Sequence, residues 1–136
     1  MKETTNLAKS VLELKSLYFD TIEFRRKENI VANPELNMNF SREVKQDAQN
    51  PNHFWLTLGT NITDKQKDAV VINLSLVGEF IVSADKDSFD ILRLIKENGV
   101  AILFPYLRSE LTLLTTQPGF QPIVLPAVNI AKMFQK

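Results

Sequence analysis

The sequence predicts a domain of the α+β class, with strands in the first two thirds of the chain and helices in the last third. Apolar and polar side chains alternate between residues 17 and 82, which is the spacing of strands with one buried face. After Asp87 the apolar side chains recur at every third or fourth position, as in amphipathic helices. Because the two patterns occupy separate runs of the chain, they indicate an α+β fold.

The first residues are predicted to form a short amphipathic helix ahead of the first strand. Thr4 or Thr5 can cap it, and four apolar side chains follow at helical spacing: Leu7, Val11, Leu12 and Leu14. A chain of 136 residues buries roughly two-thirds of the surface of its unfolded form, enough for one core. We therefore expect a helical extension over residues 1–16 and one domain over residues 17–136.

The first two predicted strands differ in how their faces must be covered. Residues 17–25 carry apolar side chains on both faces, since Leu17 and Phe19 lie on the opposite parity from Tyr18. Residues 36–40 alternate Leu, Met and Phe with Asn, so this strand has one apolar and one polar face. The first strand therefore needs a neighbour on each side.

A long hairpin follows and gives the clearest alternation in the chain. Its strands are expected near residues 54–62 and 70–82, and a mostly charged connector over residues 64–68 joins them. Gly78 falls where the apolar row of the second strand would continue. This glycine indicates a bulge, a close approach of another part of the backbone, or simply a bend.

Two helices are predicted after the hairpin. Asp87 can cap a short helix that Asn98-Gly99 would end. A longer helix is expected from about residue 100 to 116, with Pro105 near its first turn, where a missing N–H is harmless. Its apolar stripe consists of Leu103, Leu107, Leu111 and Leu114.

The composition argues against several classes of function. Sixteen basic and sixteen acidic residues cancel without a long run of one sign, so neither a nucleic-acid interface nor a membrane-binding patch is expected. The chain has no cysteine, which removes disulfides and the usual zinc sites and agrees with a reducing compartment. It also lacks a signal-peptide pattern and any stretch that could span a membrane. We expect a cytoplasmic protein.

No catalytic, metal or cofactor site is expected. His53 is the single histidine, so a Ser-His-Asp arrangement would depend on one residue at the start of a strand. The four glycines are scattered and form no phosphate-binding loop. Acidic pairs such as Asp85 and Asp87 lack the glycine and the glutamate of a calcium loop. The sequence therefore predicts a protein that is not an enzyme.

The aromatic content indicates an apolar surface instead. The chain has nine Phe, one Trp and two Tyr, and Trp55 lies on the polar face of its strand. Residues 120–124 form an apolar loop bracketed by prolines, and residues 128–134 are predicted as a last short helix. Exposed apolar side chains in such a loop would form a partner or client site. Equally, the loop can serve only to cover the end of the sheet, and both interpretations stay open.

Two motifs near the C-terminus carry a resemblance to a known family. Phe104-Pro105-Tyr106-Leu107-Arg108 opens the long helix, and Pro126 to Phe134 follows with the spacing Pro-x-x-Asn-x-x-x-x-Phe. This pair resembles the C-terminal half of the SecB protein-export chaperones. Residues 17–24 and 34–40 are similar to the first two strands of that family, so the resemblance covers roughly residues 17 to 134.

The resemblance implies a four-stranded antiparallel sheet of Greek-key type with the long helix packed on it, assembled as a dimer of dimers. It also implies an ATP-independent holdase that binds unfolded or precursor proteins for export and delivers them to the SecA motor. This chain is neutral, lacks the acidic tail through which typical SecB proteins dock SecA, and carries an N-terminal extension. In these respects it is similar to divergent SecB-like proteins of toxin–antitoxin systems, so a dedicated chaperone of one antitoxin is the alternative.

Two sets of residues are predicted to carry this function. The client-binding set consists of Phe24, Phe40, Trp55, Phe120, Pro122, Ile123, Leu125 and Phe134. The self-association set consists of Leu17, Phe19, Tyr106, Leu107, Leu111 and Leu114. It is chosen because the long helix and the first strand carry more apolar surface than one sheet can bury. The alternatives are a monomer whose N-terminal helix covers that surplus, and a small-ligand-binding protein or enzyme.

Overall fold

The structure is a computed structural model, and within its described residues four strands precede the helical elements. It describes residues 12–28, 35–65, 69–83, 88–126 and 130–134. The strands are β1 (Leu12–Arg26), β2 (Leu36–Gln46), β3 (His53–Asp64) and β4 (Val70–Val82). The helical elements are α1 (Ser88–Leu94), a π-helical turn (Ile95–Gly99), α2 (Val100–Thr115) and α3 (Ile130–Met133).

The strands form one antiparallel sheet in the order β1-β4-β3-β2. β2, β3 and β4 pair with their neighbours in sequence, and β1 pairs with β4, so the first strand lies beside the last. This is the Greek-key order. The predicted four-stranded sheet is confirmed, and β1 and β2 are its two edges.

One face of the sheet is buried under α2. The buried side chains of β3 and β4 are Phe54, Leu56, Leu58, Ile62, Val70, Ile72, Leu74, Leu76, Phe80 and Val82. The buried side chains of α2 are Val100, Leu103, Phe104, Leu107, Leu111 and Thr115, which recur every third or fourth residue along one side of the helix. We call this face of the sheet the helix side and the opposite face the polar side.

β1 begins earlier than predicted, at Leu12, so the helix expected up to residue 16 is wrong for residues 12–16. The rest of that prediction, residues 1–11, lies outside the described residues. The register of β1 against β4 shifts between Leu14 and Ser16 and again between Phe19 and Thr21. Each shift is a β-bulge, in which one extra residue moves the side-chain alternation by one position.

The bulges place all the apolar positions of β1 except Tyr18 on the helix side. Positions 12, 14, 17, 19, 22 and 24 pair with positions 82, 80, 78, 76, 74 and 72 of β4, which share the buried face. The expected opposition of Tyr18 to Leu17 and Phe19 is therefore confirmed, whereas the parity expected for Ile22 and Phe24 is wrong. The apolar positions of β1 are thus spaced alternately two and three residues apart, which is the spacing of neither a regular strand nor a helix. This irregular spacing explains why the start of β1 was predicted as part of a helix.

The helical region is more continuous than predicted. Asn98-Gly99 does not end a helix, because the π-helical turn leads directly from α1 into α2. Pro105 consequently lies inside a helical stretch and not near its first turn. A Cβ on Gly99 would lie 2.8 Å from Leu56 Cδ2, so this glycine permits close packing on β3. Among the described residues, no helix is long and apolar enough to cross a membrane.

Gly78 lies on β4 beneath Leu103 of α2, where the helix packs closely on the sheet. It pairs in regular register with Leu56 of β3, and β4 has no bulge at this position. A Cβ on Gly78 would lie 2.8 Å from Leu103 Cδ2 and 3.0 Å from Phe80 Cε2. This glycine therefore makes room for the Leu103 side chain and the Phe80 ring, and not for another part of the backbone.

Gly78→Ala should destabilise the protein by about 1–3 kcal/mol, because a methyl group there overpacks a rigid core. Gly59→Ala is the matched control in the neighbouring strand, where the new Cβ would meet Ser41 Oγ at 2.9 Å. That hydroxyl lies on the polar side and can rotate away. Urea unfolding of the two variants measures the difference, and equal effects would contradict the packing described at Gly78.

Candidate functional site

Aromatic side chains lie at both edges of the sheet on the helix side. At the β1 edge, the rings of Phe24 and Phe120 meet edge to face with centroids 5.1 Å apart and an interplanar angle of 69°. Both side chains are half-buried, and the nearby Ile22 is 52% exposed. The structure therefore brings together two of the predicted client-binding residues beside an exposed apolar neighbour.

A tight turn holds Phe120 against β1. The N–H of Phe120 donates to the carbonyl of Gln117 at 3.1 Å. Pro118 and Gly119 occupy the central positions, and the φ of Gly119 is 74°, as a type II turn requires. Arg26 Nη1 donates to the carbonyl of Pro118 at 2.9 Å. The turn is thus fixed both internally and to the edge strand.

The segment over residues 121–126 is anchored on the C-terminal end of α2. The N–H of Ile123 donates to Thr115 Oγ1 at 2.9 Å, and Thr112 Oγ1 donates to the carbonyl of Ile123 at 2.8 Å. The side chains of Ile123 and Leu125 are only 8% and 4% exposed and belong to the core. Of the predicted client-binding residues in this segment, only Pro122 is exposed.

At the β2 edge, the C-terminal part of the chain packs over the sheet. Arg42 lies 4.2 Å above the centroid of the Phe134 ring, a cation–π contact, and its Nη1 donates to the carbonyl of Lys96 at 2.8 Å. Phe40 lies two residues before Arg42 on the same face of β2 and packs against the core. Met38, on the same face, is 37% exposed. Phe40 and Phe134 therefore belong to a second group of apolar side chains, at the β2 edge of the sheet.

Trp55 lies apart from the other predicted client-binding residues, on the polar side. Its ring packs on His53 with centroids 4.3 Å apart. His53 Nε2 lies 2.6 Å from Glu79 Oε2 and its Nδ1 lies 3.3 Å from Asp47 Oδ2. Ser16 Oγ donates to the other oxygen of Glu79 at 2.8 Å. No pattern around His53 in the sequence predicts this cluster, because only the strand register brings Ser16, Glu79 and Trp55 side by side.

This polar-side cluster has the geometry of a structural network. Ser16 donates to Glu79 and not to His53, so these side chains do not form the Ser-His-acid arrangement in which a histidine activates the hydroxyl. The two carboxylates contact opposite ring nitrogens and so cannot converge on one ion with the histidine. Within the described residues, no group of three His, Cys, Asp or Glu side chains could hold a metal.

Hydrogen bonds hold both carboxyl groups of the cluster in their charged form. Donation by the Ser16 hydroxyl and then by His53 lowers the pKa of Glu79 below its ordinary value of 4.5. Donation by the backbone N–H of Gln49, together with the charge of His53, lowers the pKa of Asp47. Both groups therefore stabilise the folded protein above their unfolded pKa values, and this contribution is lost as the pH falls through the lowered pKa values.

Ser16→Ala should raise the pKa of Glu79 towards 4.5, because it removes the largest cause of the shift. Glu79 should then contribute less to the loss of stability in acid, since its pKa values in the folded and unfolded states become closer. Side-chain carbon NMR titration of Glu79 measures the effect. Ser41→Ala, at another exposed serine of the polar side, should leave this pKa unchanged. An unaltered Glu79 pKa in Ser16→Ala would contradict the assigned cause.

The predicted self-association residues divide between the core and the surface. Leu107 and Leu111 lie on the side of α2 that faces the sheet and have no exposed surface. They are therefore not free to contact another subunit. Leu17, Phe19 and Leu114 are half-buried, and Tyr106 is 48% exposed. Leu113, which was not in the predicted set, is 68% exposed and follows Tyr106 by seven residues on the same side of α2.

The described residues form an α+β fold, a Greek-key sheet with one long helix on one face and partly exposed apolar side chains at its edges. The family model described as preprotein translocase subunit SecB matches residues 5–136. The chain therefore belongs to the SecB family.

Similar proteins agree with this assignment. An uncharacterized protein of Methanocaldococcus jannaschii is 31% identical over 102 residues, which are 72% of this chain and 64% of that protein. The protein-export protein SecB of Alkalilimnicola ehrlichii is 28% identical over 111 residues, covering 76% of this chain and 54% of that protein. The chain thus spans 54–64% of the length of these two relatives.

A solved structure shows the same fold. It is a SecB-like chaperone of Mycobacterium tuberculosis in complex with a peptide from an antitoxin. The TM-score is 0.70 at 14% identity, and the match covers 92% of each chain. The α+β fold expected from the SecB resemblance is confirmed.

Proposed function

We propose that this protein is an ATP-independent holdase that binds unfolded or precursor polypeptides in the cytoplasm, without catalysis. Membership of the SecB family is the observation that carries the proposal. The geometry supports it, because half-buried aromatic side chains at both edges of the helix side are held in place by the protein's own hydrogen bonds.

The proposed client-binding surface consists of Phe24, Phe40, Phe120, Pro122 and Phe134, with Ile123 and Leu125 beneath it. Apolar contacts contribute about 25 cal/mol for each Å² removed from water and require no particular client sequence. Such a surface can therefore hold many extended segments without a chemical energy source. Trp55 lies on the polar side and is left out of this surface.

Wild-type protein should suppress the aggregation of a chemically unfolded reporter at stoichiometric amounts without ATP, as measured by light scattering. Phe120→Ala should weaken client affinity about fivefold or more, since it removes an aromatic contact worth about 1 kcal/mol or more. Trp55→Ala is the matched aromatic control on the polar side and should bind clients normally. The absence of suppression by wild-type protein would overturn the holdase proposal, and an equal loss in Trp55→Ala would overturn the assigned surface.

The second candidate is a dedicated chaperone of one partner, such as an antitoxin. Two observations favour it: the fold matches a SecB-like chaperone in complex with an antitoxin peptide, and the sixteen acidic residues are balanced by sixteen basic ones. A neutral chain offers little electrostatic attraction to the SecA motor. Affinities measured for several unrelated unfolded proteins separate the two candidates. Similar values support general export, and a preference of a hundredfold or more for one partner supports a dedicated role.

We also propose that the protein self-associates as a dimer of dimers, with the exposed side of α2 as one of its two kinds of interface. Ile102, Tyr106 and Leu113 form an apolar stripe there, and the last two are largely exposed. A second subunit would bury this stripe, as apolar helix faces require.

Tyr106→Asp combined with Leu113→Asp should split the assembly into smaller, folded species, because a charge in an apolar interface is costly. Light scattering on a sizing column measures the mass, and circular dichroism checks the fold. Ala101→Asp, exposed on the other flank of α2, should leave the assembly intact. A wild-type monomer at micromolar concentration would overturn this proposal.

A further inference from the structure

Among the described residues, the segment over residues 121–126 has hydrogen-bonded neighbours along one edge only. Ile123 uses both its backbone groups on α2, through Thr115 and Thr112. The exposed fractions of Ile123, Val124 and Leu125 are 8%, 62% and 4%, an alternation that indicates an extended chain. Pro122 and Pro126 agree with this, because a proline favours an extended conformation in the residue before it.

The other edge of the segment carries the backbone groups of Val124. In an extended chain, the N–H and C=O of successive residues point to opposite edges, so those of Val124 point away from α2. No described residue donates a hydrogen bond to, or accepts one from, the Val124 backbone. An extended chain with a free donor and a free acceptor is a template for pairing with a further strand.

The anchoring gives this edge a fixed position. Thr115 is fully buried, and its Oγ1 also donates to the carbonyl of Leu111 at 2.7 Å, so the hydroxyl that receives Ile123 is itself held. Just upstream, Arg26 fixes the turn that carries Phe120. A preformed edge binds with a smaller loss of conformational entropy than a mobile loop would.

We propose that Val124 pairs with the main chain of an extended client, donating its N–H to a client carbonyl and accepting a client N–H on its C=O. This inference rests on the proposed holdase function and names how that site holds its client. Every residue except proline offers the same two backbone groups, so such pairing does not depend on client sequence. Apolar client side chains on either side of the pairing would contact the exposed side chain of Val124 and the nearby Phe120.

Val124→Pro tests the proposal, because it removes the N–H without removing any hydrogen bond within the described structure. We expect the affinity for an unfolded client to fall about fivefold to tenfold, which corresponds to one or two hydrogen bonds. Val124→Thr keeps the N–H and the side-chain shape and should bind within about twofold of wild type. The thermal midpoint of each variant checks that both are folded.

Amide hydrogen exchange of wild-type protein gives an independent readout that needs no folded variant. Val124 should exchange fast in free protein and slowly with client bound, whereas Ile123 should exchange slowly in both. If wild-type protein binds no client, the holdase proposal itself fails. A second outcome is that client binds while Val124→Pro keeps the wild-type affinity and the exchange rate of the Val124 amide is unchanged by client. In that case the holdase proposal stands and the pairing proposal is overturned. Without client, the Val124 amide could become more protected from exchange as the protein concentration rises. This result would assign the edge to a second copy of the chain and would also overturn the pairing with a client.

Discussion

The close contact between α2 and the centre of the sheet is the constraint on which the rest of the structure depends. Gly78 and Gly99 lack side chains where Leu103 and Leu56 lie, so the helix can lie close to β3 and β4. A single helix is about 10 Å wide with its side chains, whereas four strands span nearly twice that distance. Within the described residues, α2 therefore covers the two central strands and not the two edge strands.

The uncovered edges determine where the remaining apolar residues must go. β1 keeps its apolar side chains on the helix side by means of two bulges, which also make its edge irregular and less able to pair with unwanted strands. The turn carrying Phe120 covers part of β1, and the residues around Phe134 cover part of β2. A partly covered apolar edge is the physical basis of the proposed binding of chains that share no fixed sequence.

Sequence reasoning identified the elements whose side chains follow one period without interruption. β3, β4 and α2 were found within a few residues because their apolar rows are regular and lie against one partner. The start of β1 was missed because a bulge breaks the period, and the stop expected at Asn98-Gly99 was wrong because tertiary packing selected glycine there. In the candidate site, Phe24 contacts Phe120, which lies 96 residues further along the chain. The neighbours of Trp55 are set by strand register. No local sequence pattern contains either kind of information.

The polar side explains why client binding is assigned to one face only. Asn61 Nδ2 donates to Asn73 Oδ1, and Asn73 Nδ2 donates to Glu23 Oε1, both at 2.6 Å, so a row of side chains crosses three strands. In this row and in the cluster around His53, the polar side chains form hydrogen bonds with one another. An apolar chain laid on this face would have to dehydrate these groups without offering partners to them, which costs free energy. On the helix side the groups left uncovered at the edges are mainly aromatic rings and aliphatic side chains, whose dehydration is favourable. In the proposed holdase, the difference between the two faces, rather than any single residue, would direct an unfolded chain to the helix side.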